Sequence, residues 1–290
     1  MTTINHIQSR TSRCIVCGHD QLTILDDGLV LGKFSAVLTC CDSCGQEWFD
    51  APQAWLTEAY ASPIANTDTG IVSRSLSVHR VISSFLSISN ISGKILDWGS
   101  GSGLLTRLLR DDGHDCYGLE PYTSPVLAEG FTWKKAEDAY SNEPYRAIIA
   151  IEVVEHLVNP QEFFAAALSA TDTLIFSTEL VDNSRHDPNW WYYSRETGQH
   201  IAFYTQKSLG HLADQNSCKY ASSRNKSLHI ITSRPADLRL FRWLAGSRRT
   251  GLSYPFAQVL GKLKGRRSLI MSDYLAAKQA LRSAQARRSE

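Results

Sequence analysis

Two glutamates and two histidines in the middle of the chain have residue types and spacing suited to catalysis. Glu152, Glu155 and His156 follow an apolar segment, and a spacing of three and four residues brings them together if the chain turns helically. His200 comes from a later segment that could reach the same place. The four side chains suit Mg²⁺ or Mn²⁺, whereas His200 alone, or Glu155 with His156, could act as base or acid without metal. A purely structural role, closing a helix start, also fits Glu155 and His156.

Four cysteines near the N-terminus form a second candidate site, arranged as two C-x-x-C-G turns: Cys14 with Cys17, and Cys41 with Cys44. Each turn lets two thiolates bind one ion, so the pairs predict a zinc ion with four thiolate ligands. Such a closed site is structural, because no coordination position remains for a substrate. The gap between the pairs exceeds the usual ribbon spacing, so Cys40 or His19 could replace one ligand.

A glycine-rich loop follows the first predicted strand of the central region and has the sequence Asp97-Trp98-Gly99-Ser100-Gly101-Ser102-Gly103. Its glycines let the backbone approach a nucleotide-like ligand closely. A dinucleotide fingerprint would need glycine at position 104, which is Leu104, so a nicotinamide cofactor is disfavoured. Glu120 ends the next predicted strand, where its carboxylate can accept both hydroxyls of a ribose.

Short apolar segments and helical segments alternate over residues 93–233, and these elements must position the candidate groups. Strands are predicted at 94–97, 116–120, 132–134, 147–151 and 174–177, with helices at 104–110, 160–168 and 205–213. Segments 218–221 and 228–232 form a closing pair. The pattern predicts an α/β fold with a doubly wound parallel sheet, whose carboxyl edge holds the ligand.

The acid before the glycine loop, the acid ending the second strand and the apolar fourth strand together resemble the class I methyltransferases. The resemblance covers about residues 93–233 and implies a Rossmann-like sheet with S-adenosylmethionine as cofactor. It implies that the methionine part lies among Asp97, Gly99, Gly101 and Gly103, the ribose at Glu120, and the adenine at Glu137 or Asp138. The run from Glu152 to His156 also resembles a metal-dependent branch that includes small-RNA 2′-O-methyltransferases.

Large aromatic side chains stand between the fifth strand and His200, at Trp190, Trp191 and Tyr192. They predict a substrate lid, because flat side chains stack on sugars, bases and phenols. The alternative is that some of them cover the domain's own surface.

The chain divides into four predicted regions: a zinc-ribbon-like module at 1–50, a helical connection at 51–92, the methyltransferase domain at 93–233, and a basic, largely helical extension at 234–290. The extension's basic residues include Arg242, Arg248, Arg249, Lys262, Lys264, Arg266 and Arg267. They suit a phosphate-bearing partner, or simply a solvated flank. A final helix is predicted near 272–288.

The composition narrows the function classes further. The 290 residues are 43% hydrophobic with a formal net charge of +1, which gives no whole-molecule argument for nucleic acid. No signal peptide or membrane span is recognised, so a cytoplasmic location is expected. The first hypothesis is methylation of a hydroxyl on a glycan or small molecule, because the layout is similar to bacterial polysaccharide-associated methyltransferases. Alternatives are an RNA 2′-O-methyltransferase and an inactive zinc-ribbon scaffold. The oligomeric state stays open.

Overall fold

The structure is a computed structural model that describes residues 12–62, 67–89, 93–141, 144–181, 187–245 and 250–286. The N-terminal part forms an antiparallel sheet from β1 (Leu22–Val30), β2 (Phe34–Cys41) and β3 (Glu47–Phe49). A fourth strand, β9 (Ala202–Phe203), extends this sheet beside β3 although it lies far along the chain. The N-terminal sheet is therefore completed by a strand from the second half of the chain.

A helical connection follows, with a 3₁₀ turn at Pro52–Ala54, α1 (Leu56–Ala59) and α2 (Ile71–Ile88). The N-cap of α2 is Gly70, which makes no side-chain cap bond, and Asp68 pairs with Arg74 at 2.7 Å. The connection thus places an ion pair, not a capping side chain, at the start of α2.

The central sheet contains seven strands in the order β10-β11-β8-β7-β4-β5-β6. Their bounds are Ile95–Trp98 for β4, Cys116–Leu119 for β5, Thr132–Trp133 for β6, Ala147–Ala150 for β7, Thr173–Ser177 for β8, Lys219–Ser222 for β10 and Leu228–Thr232 for β11. Strand β11 runs antiparallel to both neighbours, because a short hairpin joins it to β10. The predicted fold class is confirmed, but the sheet is mixed and not entirely parallel.

Helices cover both faces of this sheet: α3 (Leu104–Asp111), α4 (Ala136–Tyr140), α5 (Pro160–Ala170) and α6 (Gln206–Gln215). Proline at the first position starts α5, and Thr205 caps α6 through a reciprocal bond with Ser208. All four residues of β7 are buried, so this strand lies in the core and its carboxyl end is held firmly.

The C-terminal extension forms α7 (Pro235–Leu244), α8 (Thr250–Leu263) and α9 (Ile270–Ala286). Helix α8 packs on α2, and α9 is attached through Asp273, whose carboxylate accepts two hydrogen bonds of 2.7 Å from Arg110. Arg248 and Arg249 of the basic segment lie outside the described residues. Within the described ranges, every helix is too short or too polar to cross a lipid bilayer.

Candidate active site

The glycine loop between β4 and α3 has three glycines with different roles. A Cβ on Gly99 would lie 2.6 Å from a Val153 methyl carbon, and one on Gly103 would lie 2.7 Å from Ala128, so packing excludes side chains there. Gly101 has φ +55°, yet a Cβ on it would meet nothing within 4 Å. Its surroundings are open space at the carboxyl edge of the sheet. A ligand can therefore approach the backbone at Gly101.

Two carboxylates flank this loop. Asp97 is 2% exposed and accepts a hydrogen bond of 2.7 Å from the Thr106 hydroxyl. Burial raises the pKa of Asp97 to about 7, the Thr106 bonds lower it and the charge of Glu120 raises it. The Asp97 carboxylate is thus poised between its charged and neutral forms near neutral pH.

Glu120 holds the loop in place. One carboxylate oxygen accepts the N–H of Gly101 at 2.8 Å, and the other accepts the N–H groups of Tyr122 and Thr123, each at 2.8 Å. A carboxylate offers about four acceptor positions, so roughly one remains for another donor. The ribose contact of Glu120 stays a prediction, and a loop-fixing role is added to it.

The remaining predicted cofactor residues, Glu137 and Asp138, lie exposed in the first turn of α4. Their adenine contact stays a prediction. Sequence reasoning left Arg74 out of the site, but its guanidinium lies 2.7 Å from Asp68 and 3.7 Å from Glu152. From the sequence, Arg74 could equally border the cofactor mouth or lie on the surface, because its contact with Glu152 depends on how α2 packs.

Three of the four predicted metal-binding or catalytic residues come together. Glu155, His156 and His200 each place one ligand atom within 4.8 Å of the others. The 3₁₀ turn Val154–His156, directly after β7, carries the first two, and the segment before β9 carries His200. The cluster therefore joins the end of a central strand to a distant loop.

Hydrogen bonds orient each member of this cluster. The Nδ1 atoms of His156 and His200 bind the carbonyl oxygens of Gln199 at 2.9 Å and Tyr192 at 2.7 Å. A carbonyl only accepts, so each Nδ1 carries the proton and each Nε2 keeps a free lone pair. One Glu155 oxygen accepts the Tyr192 hydroxyl at 2.7 Å, whereas the other is buried without a hydrogen-bond partner among the described residues.

Burial dominates the ionisation of the cluster. It raises the pKa of Glu155 to about 7, with Glu152 raising it further and His200 lowering it. It lowers the pKa of both His156 and His200, so both imidazoles are neutral at neutral pH. Neutral imidazoles can accept a proton or bind a metal ion.

Glu152 lies apart from this cluster. It has φ +55°, unusual for a residue with a side chain, and one carboxylate oxygen accepts the Ser177 hydroxyl at 2.6 Å. Its other oxygen faces Arg74 at 3.7 Å. Glu152 is thus directed towards the start of α2, and the described ligand group contains one glutamate and two histidines.

The aromatic residues before His200 divide between core and surface. Tyr192 is 1% exposed and orients Glu155, so it is packed within the site and not in a lid. Trp190 packs against Tyr193 at a ring-centre distance of 5.2 Å. Trp191 is 70% exposed. Stacking on a substrate stays a prediction for these residues, and Trp191 is the most exposed of the three.

The four predicted zinc ligands converge. The sulfur atoms of Cys14 and Cys44 are 3.6 Å apart, those of Cys17 and Cys41 are 3.5 Å apart, and all four lie within 4.8 Å. Zn–S bonds of about 2.3 Å require sulfur separations of about 3.8 Å, so the arrangement fits a tetrahedral ion. Cys40 is not in the group, and its thiol faces the Cys41 carbonyl.

This cysteine cluster is tied to the catalytic half of the chain. Thr205 donates to the carbonyl of Cys44 at 2.7 Å, and the Gln161 side chain donates to the carbonyl of Val16 at 2.5 Å. In the strand pairing, Trp48 of β3 lies opposite Ala202 of β9. The cluster therefore supports the sheet that holds the segment after His200.

A cavity of about 680 Å³ separates the cysteine cluster from the carboxyl end of β8. Its lining includes Asp42, Glu179, Lys207, Asn225 and Lys226. Burial, and to a smaller extent the charge of Glu152, raise the pKa of Glu179. The volume is in the range that accommodates small-molecule ligands.

Comparison with known proteins was made against families, curated proteins and solved structures. The family described as methyltransferase domain matches residues 73–222, just over half of the chain. No curated protein matches. Among solved structures, an O-methyltransferase family protein from Burkholderia thailandensis is 12% identical, with a TM-score of 0.46 over 62% of this chain and 68% of that one.

Two further solved structures are similar. The 1,6-didemethyltoxoflavin-N1-methyltransferase of Burkholderia thailandensis, with bound S-adenosylhomocysteine, is 12% identical, with a TM-score of 0.46 over 68% of this chain and 93% of that one. The magnesium protoporphyrin IX methyltransferase of Synechocystis PCC 6803 is 16% identical, with a TM-score of 0.40 over 62% and 92%.

Proposed function

The chain belongs to the methyltransferase-domain family, and we propose that it uses S-adenosylmethionine to methylate a hydroxyl group of a glycan or another small-molecule acceptor. Because the chain belongs to this family, we do not pursue the alternative of an inactive zinc-ribbon scaffold protein. The observation that carries the hydroxyl acceptor is the grouping of Glu155, His156 and His200, whose ligand atoms lie within 4.8 Å of one another, with one buried Glu155 oxygen that has no hydrogen-bond partner among the described residues.

The glycine loop is the proposed cofactor cradle. The open space at Gly101 leaves room for the methionine part, with Gly99 and Gly103 shaping the loop around it. In this proposal Asp97 pairs with the cofactor's ammonium group, and Arg74 pairs with its carboxylate. Glu120, which fixes the loop, uses its remaining acceptor position for a ribose hydroxyl, and Glu137 or Asp138 faces the adenine.

The bound cofactor supplies a methyl group already activated on a sulfonium sulfur. The protein then needs to align the acceptor oxygen and remove its proton as the oxygen attacks. His200 suits this task, because the Tyr192 carbonyl holds its Nδ1 proton and leaves Nε2 as the acceptor. Glu155 stabilises the imidazolium that results, and Tyr192 keeps Glu155 in place.

A second form of the mechanism uses a divalent ion. Glu155, His156 and His200 form a one-carboxylate, two-histidine ligand group, and the buried Glu155 oxygen that has no hydrogen-bond partner among the described residues could bind a cation. Mg²⁺ or Mn²⁺ held there would lower the pKa of an acceptor hydroxyl. This form also serves the RNA 2′-O-methylation alternative, in which the acceptor is a ribose hydroxyl.

We propose that the acceptor extends into the cavity beside Glu179, which lies past the carboxyl end of β8. Carboxylate and amide groups in its wall suit sugar hydroxyls, while Lys207 and Lys226 suit a phosphate on the same molecule. Trp191, which is largely exposed, is proposed to stack on the acceptor ring.

The N-terminal cysteines are proposed to bind a structural zinc ion in a zinc-ribbon-like module. Four converging thiolates with sulfur separations of 3.5 and 3.6 Å support it. No thiolate has a catalytic role in this proposal, because the closed tetrahedral site leaves no position for a substrate.

Calorimetric titration with S-adenosylhomocysteine tests the central proposal. Saturable one-to-one binding by zinc-loaded protein is expected, whereas absence of binding would contradict the cofactor cradle. Repeating the titration and a methyl-transfer assay on hydroxyl-bearing glycans and on RNA, with and without Mn²⁺, then separates the two forms. Full activity of protein freed of labile divalent ions, with its zinc retained, would exclude the metal form.

A further inference from the structure

Helix α8 presents a stripe of apolar side chains to solvent. We call this the α8 apolar face; its members are Leu252, Phe256, Val259 and Leu263, which are 82%, 60%, 57% and 79% exposed. Their spacing of four, three and four residues aligns them on one side of the helix. Ser253 and Ala257, on the opposite side, are buried where α8 packs on α2. The exposure thus concentrates on one face of a helix that is otherwise well attached.

The attachment of α8 is polar and specific. The Gln258 side chain donates to Asp112 at 2.8 Å, and the Tyr254 hydroxyl lies 3.1 Å from the same carboxylate. These bonds fix the rotation of α8 about its axis, so the apolar face is held outward. Contiguous exposed apolar surface of this kind marks an interaction site more often than chance.

Helix α9 also exposes apolar side chains. Asp273 points inward to Arg110, whereas the other described side chains of α9 are exposed, among them Met271, Tyr274, Leu275 and Leu281, which are 65%, 55%, 55% and 66% exposed. The exposed apolar surface of the C-terminal extension therefore includes both helices.

The positive charge near the α8 apolar face indicates which kind of partner binds there. Between Asp237 and Asp273 the sequence contains eight lysines and arginines and no acid. At the end of α8, next to Leu263, the exposed members are Lys262, Lys264 and Arg267, which we call the basic flank. Apolar side chains beside cations match a lipid surface with anionic headgroups, since the former enter the acyl boundary and the latter bind phosphates.

We propose that the α8 apolar face and the basic flank bind the anionic surface of a lipid membrane, without crossing it. A second copy of the chain fits less well, because a two-fold contact through α8 would bring like charges together. Nucleic acid would use the basic flank but would leave the apolar face exposed to water. Membrane binding is independent of which hydroxyl the enzyme methylates.

Sedimentation of the full, zinc-loaded chain with lipid vesicles tests the proposal. Binding is expected to vesicles that mix phosphatidylglycerol with phosphatidylcholine and to be much weaker with phosphatidylcholine alone. Added salt should weaken it, because the headgroup attraction is screened. Equal binding to both vesicle types, or no binding to either, would overturn the proposal.

Paired variants assign the binding to this surface. Lys262→Gln with Lys264→Gln should weaken binding roughly 25-fold, at about fivefold for each charge near the membrane. Leu252→Ser with Phe256→Ser should weaken it at least about tenfold through lost apolar burial. The matched control, Ile24→Ser with Leu29→Ser, removes two exposed apolar side chains from β1 and should bind as before.

Calorimetry with S-adenosylhomocysteine, or a thermal melt if the cofactor proposal fails, confirms that each variant is folded. Unchanged vesicle binding in both α8 variants would overturn the proposal. So would a dimer in the analytical ultracentrifuge that Leu252→Ser with Phe256→Ser converts to monomer, since the α8 apolar face would then be a subunit contact.

Discussion

The carbonyl oxygen of Ile201 accepts a hydrogen bond of 3.0 Å from the backbone N–H of Phe49. The N–H of Ile201 in turn donates to the carbonyl of Glu155 at 2.8 Å. The residue after His200 is therefore bound on one side by β3 of the N-terminal sheet and on the other by the turn that contains Glu155. The N-terminal sheet thus helps to hold the segment next to His200.

Loss of the zinc ligands should therefore lower the turnover number more than the affinity for the cofactor. In Cys41→Ser we expect reduced zinc content and a kcat at least about tenfold lower, because β3 no longer fixes the segment after His200. Affinity for S-adenosylhomocysteine should change little, because the glycine loop follows β4 of the central sheet and not a strand of the N-terminal sheet. Cys40→Ser is the matched control, as Cys40 lies outside the cluster and should retain both zinc and activity. Equal loss of cofactor affinity and kcat in Cys41→Ser would contradict this role.

Asparagine at Gly101 should block the cofactor. Asparagine tolerates a left-handed backbone better than most residues, so Gly101→Asn fills the open space with limited strain. We expect affinity for S-adenosylhomocysteine to fall at least about 100-fold, which corresponds to about 2.7 kcal/mol. Gly32→Asn is the control, because Gly32 also has positive φ, at +68°, and open surroundings, but lies between β1 and β2. Calorimetry of both variants makes the comparison.

Cofactor affinity should depend on pH through Asp97. Its pKa of about 7 lies above the ordinary value of 3.8. Between these two pH values, Asp97 is mostly protonated in the folded protein without cofactor and mostly ionised in the unfolded chain. The contribution of Asp97 to stability thus falls as pH rises between about 4 and 7. A cationic cofactor group favours the charged form, so affinity should weaken by up to about tenfold per pH unit below 7.

Titrations with S-adenosylhomocysteine between pH 5 and pH 8 measure this dependence. Asp97→Asn should bind weakly and with a flat profile over the same range. A wild-type profile that is equally flat would show that Asp97 does not pair with the ammonium group.

His200→Ala should separate chemistry from binding. Loss of a general base is worth about 10²- to 10⁴-fold in rate, so kcat should fall by that factor while cofactor affinity is retained. His211→Ala, on α6 outside the ligand group, should leave kcat unchanged. Steady-state assays of both variants decide the matter, and an unaffected His200→Ala enzyme would remove His200 from the mechanism.

The ion pair between Arg110 and Asp273 should be a principal attachment of α9. Both side chains are buried, and Asp273→Asn leaves the guanidinium partly uncompensated, at a cost of about 3–5 kcal/mol. The exposed pair of Lys219 and Asp214 provides the control, and Asp214→Asn should cost less than about 1 kcal/mol. Urea unfolding of both variants gives the two free energies, and equal costs would contradict the argument.

The sequence alone determined the features that rest on local chemistry. The glycine loop from Gly99 to Gly103, the two C-x-x-C-G turns and the alternation of short apolar strands with helices led to the correct fold class. Strand and helix limits fell within a few residues of those observed, as for α3 at Leu104–Asp111. Such features can be predicted from the sequence because steric freedom at glycine, thiolate spacing and hydrophobic periodicity act between near neighbours in the chain.

Only the tertiary structure decided which of the candidates meet. The pairing of Trp48 with Ala202, the inward turn of Tyr192 to Glu155, the direction of Glu152 towards Arg74 and the antiparallel course of β11 all join distant segments. No local pattern encodes these contacts, because each depends on which buried surfaces and unpaired backbone groups find partners once the whole chain has packed.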